Sequence, residues 1–359
     1  MKKIYYITAV FATLFLVGCG DGIDLPGVNV ETDLNKIPLP DNNVNLEQVE
    51  LKPSTKPMLH EGLHTEEDFQ RIRDKKAAGE EPWVSAYQLL VESQFSQKTA
   101  DTYPTEWIKR GVSGDENYMN AARGATIAYQ QALRWKIEQD DEYAAKAVEN
   151  LNKWVQTCVG VTGNTNLSLA AGLYGYEFAI AGELLRDYEG WDRADFAAFQ
   201  NWLLKVFYPA NDDFLKRHHD TNPLHYWANW CLCNIAAKMA IGIVTDRRDI
   251  YNEGIGHLQT GDTNGRLRRA IYHDYAPDYN FAQWQESGRD QGHTLMCVGL
   301  MGIICQLAWS QGDDFFAYDD NLFMRACEYA ACCNYTNETV PYTTYIWQKQ
   351  SQWGYPIPE

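Results

Sequence analysis

Apolar residues recur along most of the chain at the three- and four-residue spacing of amphipathic helices. Tyr143, Ala147, Leu151 and Trp154 form one such stripe over 141–157, and Met119, Ala122, Ile127, Leu133, Trp135 and Ile137 another over 116–138. The same pattern predicts helices over 167–187, 193–207, 224–244, 247–259, 289–310 and 319–333. Thr65 followed by Glu66-Glu67-Asp68 is a capping box that opens an earlier helix, and Pro82-Trp83 opens the next. Turn signals separate these runs at Gly160 to Gly163, Gly190, Thr245-Asp246, Gly261 to Gly265 and Gly312-Asp313-Asp314. Alternating β-branched runs are nearly absent, so the expected class is all-α. Helices such as 224–244 and 294–309 are apolar on more than one face and must be buried on two sides. A ring of helical hairpins supplies that environment, with amphipathic outer helices shielding apolar inner ones. About 300 residues at roughly 40–47 per hairpin gives six or seven hairpins.

The first residues break this pattern. Lys2 and Lys3 precede an apolar run from Ile4 to Val17, too short to span a bilayer comfortably, which ends Leu16-Val17-Gly18-Cys19. This resembles a bacterial lipobox. Residues 1–19 are therefore expected to be a lipoprotein signal peptide, with Cys19 lipidated and anchoring the protein to a membrane outside the cytoplasm. Cell fractionation checks that expectation. Residues 20–57, rich in Asp, Asn, Pro and Val without period, read as an extended tether. Residues 58–359 form the folded domain.

Lys and Arg total 31 against 48 Asp and Glu, a net charge of −17. That balance argues against a nucleic-acid partner, which needs a basic face to displace counterions. It still permits an anionic ligand in a local basic cleft. Beyond Cys19 the cysteines lie mostly inside apolar helical runs, as Cys231, Cys233 and Cys305 do, where Cys acts as a small buried hydrophobe. No CxxC pair or other metal-ligand spacing appears, so neither a structural metal nor a cofactor is expected.

Three segments resemble known lyases. Residues 60–92, HEGLHTEEDFQRIRDKKAAGEEPWVSAYQLLVE, are similar to the opening segment of the alginate-lyase-like superfamily. Residues 225–252, HYWANWCLCNIAAKMAIGIVTDRRDIYN, resemble the inner helix of alginate lyases, which reads Asn-Asn-His-x-Tyr-Trp-Ala-x-Trp and then Thr-x-Arg-Arg-Asp. Residues 283–310, QWQESGRDQGHTLMCVGLMGIICQLAWS, resemble a signature of polysaccharide lyase family thirty-eight, whose members act on alginate or glucuronan. The resemblance implies an (α/α) toroid and β-elimination on an anionic uronic-acid polymer. It also implies a domain longer than residues 58–359 supply, hence an incomplete barrel.

Such elimination removes the weakly acidic C5 proton beside a charged carboxylate. It needs donors such as Asn, His or Arg on that carboxylate, a base, and an acid for the departing O4. Asn166, before the 167–187 helix, reads as an N-cap or, by resemblance, as a carboxylate donor. Asn222-Pro223 reads as a cap with proline at the first helical position, placing His225 and Asn229 on one face beside Tyr226. The resemblance gives His225 a catalytic role, although here His and Tyr-Trp are adjacent where alginate lyases place one residue between them. Ser287 to Asp290 reads as a capping box, with Arg289 and His293 sharing a face and Glu286 three residues before Arg289. Arg266 to Tyr275 resembles Arg-Ala-Leu-x-Tyr-His-x-Tyr, which implies Tyr275 as base and acid and Arg269 as the group that lowers its pKa, with a spacing one residue short. The alternative alignment gives the arginine role to Arg289. Tyr226, Trp227, Trp284, Gln285 and Glu286 complete the expected substrate-binding set, the tryptophans as stacking platforms. Two other functions fit the sequence: a glycoside hydrolase using Glu286 and Asp290, and a noncatalytic glycan-binding lipoprotein.

Overall fold

The computed structural model describes Thr55, residues 57–335 and residues 340–343. The expected signal peptide, lipobox and most of the tether lie outside the described residues. Helices α1 (Glu66–Ala77) and α2 (Trp83–Glu92) precede strand β1 (Trp107–Arg110). Then come α3 (Tyr118–Glu138), α4 (Asp141–Thr157), β2 (Gly160–Gly163), α5 (Leu167–Leu184), α6 (Arg193–Val206) and α7 (Tyr208–Arg217). The chain continues through α8 (Ala228–Val244), α9 (Arg248–Thr260) and the short α10 (Leu267–Ala270). A hairpin of β3 (Ile271–Asp274) and β4 (Ala282–Trp284) leads into α11 (Gln291–Ser310) and α12 (Tyr318–Tyr335). The Thr65 capping box forms as the sequence predicts, with Thr65 and Asp68 bonding each other's backbone N–H.

Helices α3, α5, α8 and α11 are neighbours in that order, and each is followed by outer helices packed against the ring. This is the layout of an (α/α) toroid. The inner helices run parallel. Gly172 of α5 sits at the same depth as Cys233 of α8, where a Cβ would lie 2.5 Å from the Cys233 sulfur, so only glycine permits that approach. At the other end Arg186, just past α5, donates to the carbonyls of Ile243 and Val244 that end α8. Nearly every residue of α5 and α8 is buried, as their unbroken apolarity requires. Cys231, Cys233 and Cys305 lie wholly in this core. Among the described residues there are five hairpins, counting α1–α2, fewer than division by repeat length gives. The difference is chain used in the strands and turns that carry the path from outer to inner helices.

The segment before α1 crosses the C-terminal ends of the inner helices. Leu59 N–H donates to Gln311 Oε1 at 2.9 Å, and Gln311 Nε2 returns bonds to the carbonyls of Leu59 and Glu61. The opposite rim, formed by the four inner N-termini, carries the strands and the irregular segments.

Halfway down the inner wall, Tyr129 and His64 are hydrogen-bonded at 2.5 Å and Glu177 lies near Tyr129. Burial pushes the Glu177 carboxyl up to about 8 and the His64 imidazole down to about 4, so both groups are neutral between those values. A raised folded-state pKa stabilises below the unfolded value of 4.5 and is lost as pH rises through about 8. Glu177→Gln is thus expected to melt higher than wild type at pH 9, with the gap closing at pH 5. Thermal melts at both pH values check this, and an equal gap at both would refute it.

Candidate active site

The N-terminal rim is built from three chain entries. The first is the turn before α5. Gly163, at φ 144°, pairs with Arg110 across the parallel β1–β2 ribbon, and a Cβ there would sit 1.7 Å from the Arg110 carbonyl oxygen. Asn164 Oδ1 accepts the Asn166 N–H at 2.9 Å and sets the turn. Asn166 occupies the N-cap position of α5, but its side chain makes no capping bond. Asn166 is half-buried at the rim.

The second entry departs from the expected helix. Asn222 Oδ1 accepts the Leu224 N–H at 2.9 Å, and Asn264 Nδ2 binds the carbonyls of Leu224 and Tyr226 at 3.0 and 2.8 Å. These carbonyls are engaged outside the helix, so α8 begins at Ala228 and Pro223 is not its first residue. His225 and Asn229 therefore do not share a helical face. His225 is exposed on the rim, edge-on to Tyr226 at 4.8 Å between ring centres. The Tyr226 ring also meets His218 and His219, each at 5.7 Å. Burial raises the Tyr226 hydroxyl, opposed by a hydrogen bond with the Thr165 side chain. His219 bonds Ser168 at the start of α5 at 3.0 Å, and burial lowers its pKa. His218, His219 and Asp220 are three successive left-handed residues, a strained arrangement of the kind that gathers at functional sites. Sequence reasoning missed His219. The vicinal His-His before the loop into α8 was its signal. His218 itself is core, bonded to the Phe214 carbonyl and Cys231.

The third entry corrects several expectations. Asp290, not Ser287, is the N-cap of α11. It accepts the His293 N–H at 2.7 Å and faces His293 Nδ1 at 2.7 Å. Burial would raise the Asp290 carboxyl, but its two bonds to His293 outweigh that and hold it below the ordinary carboxylate range. Arg289 precedes the helix, so it shares no helical face with His293. Its Nη1 donates to Glu286 Oε2 at 3.1 Å, and its guanidinium lies 5.0 Å from the Trp227 ring centre. Glu286 is fully buried and its other oxygen accepts the Asn229 N–H at 3.1 Å, while Gln285 Oε1 accepts the Ala228 N–H at 2.7 Å. Gln285 and Glu286 thus cap α8 from another part of the chain, and Glu286 also holds Arg289, so both serve the scaffold rather than meeting a sugar. Trp284 is fully buried with its indole N–H on the Ala326 carbonyl, so it is a core residue and no stacking platform. Trp227 stays half-buried at the rim.

The carboxylates of Glu286 and Asp290 each face a helix N-terminus, whose positive end balances them. Arg289 lies between the two, paired with Glu286 at 3.1 Å and 3.9 Å from Asp290, so the local charges roughly cancel. Glu286, fully buried, is not placed to serve as one of the two acids of a glycoside hydrolase.

Tyr275 and Arg269 are bonded to other groups. The Tyr275 hydroxyl donates to Gln283 Oε1 at 2.6 Å, bonds Thr343, and its ring stacks on Tyr329 of α12. Burial raises its pKa, and the groups acting most on it are Thr343, Tyr329 and Tyr272 rather than an arginine. Arg269 donates to the Asp262 carbonyl. No cluster of three metal-ligating side chains occurs among the described residues.

Known structures share this layout. An alginate lyase from Bacteroides ovatus superimposes with a TM-score of 0.54 at 14% identity, covering 75% of this chain and 82% of the other. Alginate lyase A1-III from Sphingomonas species A1 gives 0.53 at 13% identity, over 77% of this chain and 79% of that one. A Tyr-to-Phe variant of A1-III complexed with a tetrasaccharide gives the same values. No curated protein matches the chain. The family model described as alginate lyase matches residues 72–338, most of the described helices and all three rim segments, and the chain belongs to the alginate lyase family.

Proposed function

We propose that this polysaccharide lyase cleaves alginate, or a closely related uronan such as glucuronan, by β-elimination on the N-terminal rim. The observation that carries the reading is Arg289, fixed between buried Glu286 and the Trp227 ring, beside the Asp290–His293 pair. Arg289 receives the carboxylate of the sugar to be cut, with the Asn166 amide as a second donor. His293 accepts the C5 proton, the released electron pair forms the C4=C5 double bond, and the C4–O4 bond breaks. The departing O4 takes its proton from the α8 side, where His225, His219 and Tyr226 gather. Four inner helices point their positive ends at this rim, which draws an anionic polymer to an otherwise acidic protein.

The test is a panel of polymannuronate, polyguluronate and glucuronan, followed by ultraviolet absorbance of the new double bond. Unsaturated product from at least one polymer is expected. New reducing ends without that absorbance would instead indicate hydrolysis. Binding without either would indicate a noncatalytic glycan-binding protein.

A further inference from the structure

The start of α8 departs from what its own sequence favours. Asn222-Pro223 is a strong local start, since Asn is a preferred N-cap and Pro a preferred first helical residue. The helix begins instead at Ala228, with Trp227 in the cap position and no side-chain capping bond from it. Tryptophan has no side-chain oxygen with which to cap a helix.

Side chains from two other parts of the chain replace the missing turn. In a helix wound from Pro223, the N–H groups of Ala228, Asn229 and Trp230 would bond the carbonyls of Leu224, His225 and Tyr226. Asn264 Nδ2 already occupies the Leu224 and Tyr226 carbonyls, at 3.0 and 2.8 Å. Gln285 and Glu286 occupy the N–H groups of Ala228 and Asn229, and Trp230 N–H turns to the Trp227 carbonyl at 3.1 Å. Most of the hydrogen bonds that winding would make are therefore made elsewhere, and the competing side chains decide between the two forms. Asn264 is the group on the carbonyl side. It is 1% exposed, and its turn is pressed against α8: a Cβ on Gly265 would lie 2.5 Å from the Cys231 Cβ.

We propose that Asn264 is a positioning residue of the active site, which holds the first turn of α8 unwound and so keeps His225, Tyr226 and Trp227 on the rim. Trp227 is extended, at φ −63° and ψ 160°. Winding would bring its ψ to about −42° and redirect every residue before it. Tyr226 would leave the rings of His218 and His219, and Trp227 would leave the Arg289 guanidinium that lies 5.0 Å from its ring. Asn264 sits in the turn between α9 and α10 and acts on the reaction only through this loop. The inference deepens the lyase reading and rests on it.

The experiment measures kcat, the melting temperature and the crystal structure of Asn264→Ala. The helix is expected to begin near Pro223, with kcat down about tenfold to a hundredfold, the scale of a displaced site residue. Melting should shift by only a few degrees, because the freed carbonyls find the N–H groups of Ala228 and Trp230. Adding Pro223→Gly removes the fixed φ that suits a helix start, and the double variant should regain severalfold of the lost kcat. A purely structural defect would not be rescued by loosening the loop further. Asn264→Ser keeps one donor and should show an intermediate loss, so it carries the test if the alanine variant does not fold. A kcat within about twofold of wild type in either folded variant would overturn the proposal, as would a helix that still begins at Ala228. A wound first turn in Asn264→Ala, beside a wild type that forms no unsaturated product from any of the three polymers, would overturn the lyase reading alone.

Discussion

Arg289→Lys is expected to lower turnover about a hundredfold with the fold intact, the scale of losing one oxyanion-hole donor. The Arg289 fork can hold Glu286 with one nitrogen while presenting others to a uronate, because Glu286 and Trp227 fix its plane. Its bonds to the substrate strengthen as charge moves onto the carboxylate during proton removal, so they act on the transition state more than on binding. Lysine keeps the charge but loses the planar fork and cannot serve both carboxylates at once. Arg289→Ala should be worse, and it also leaves the buried Glu286 with one charged partner fewer. The measurement is kcat by the double-bond assay, with circular dichroism and thermal melting to confirm the fold. The competing alignment makes the opposite forecast. If Arg269→Ala abolishes turnover while Arg289→Lys is nearly silent, Tyr275 and Arg269 hold the catalytic roles despite the raised Tyr275 hydroxyl.

His293→Ala should cost about two to four orders of magnitude in kcat, the usual range for a lost general base. The Asp290 carboxylate faces Nδ1 at 2.7 Å, which places the proton on that nitrogen and makes Nε2 the basic one. Asp290→Asn separates this role from capping. Asparagine caps a helix about as well as aspartate, so the start of α11 should hold and the melting temperature should stay within a few degrees. The amide would donate to Nδ1 and reverse the tautomer, so kcat should fall nearly as far as in His293→Ala. A His293→Ala enzyme retaining more than a tenth of wild-type kcat would move the base elsewhere, with His219 and Tyr226 the nearest replacements.

Periodicity alone located the helices, because burial on one face or two is written into the spacing of apolar residues. The predicted run 141–157 matches α4 to the residue, and 193–207 matches α6 within one. Cys231 and Cys233 as core residues were likewise legible, and so was a cap near the start of α11, although it falls on Asp290 rather than Ser287. The motif resemblance pointed to segments that the fold brings to one rim, but not to the contacts their side chains make there. That depended on contacts between distant parts of the chain. Asn264 pulls the Leu224 and Tyr226 carbonyls out of helical geometry from about forty residues away, which delays α8 by one turn and frees His225 from it. Gln285 and Glu286 satisfy helix N–H groups 57 residues earlier, so an apparent substrate-binding pair is part of the scaffold. Trp284 is in the core for a similar reason, since its indole finds the Ala326 carbonyl on α12. Local spacing determines which residues can form a helix or a cap. Which hydrogen bonds remain for a ligand is decided only when every buried donor and acceptor has found its partner, and most of those partners here are far away in sequence.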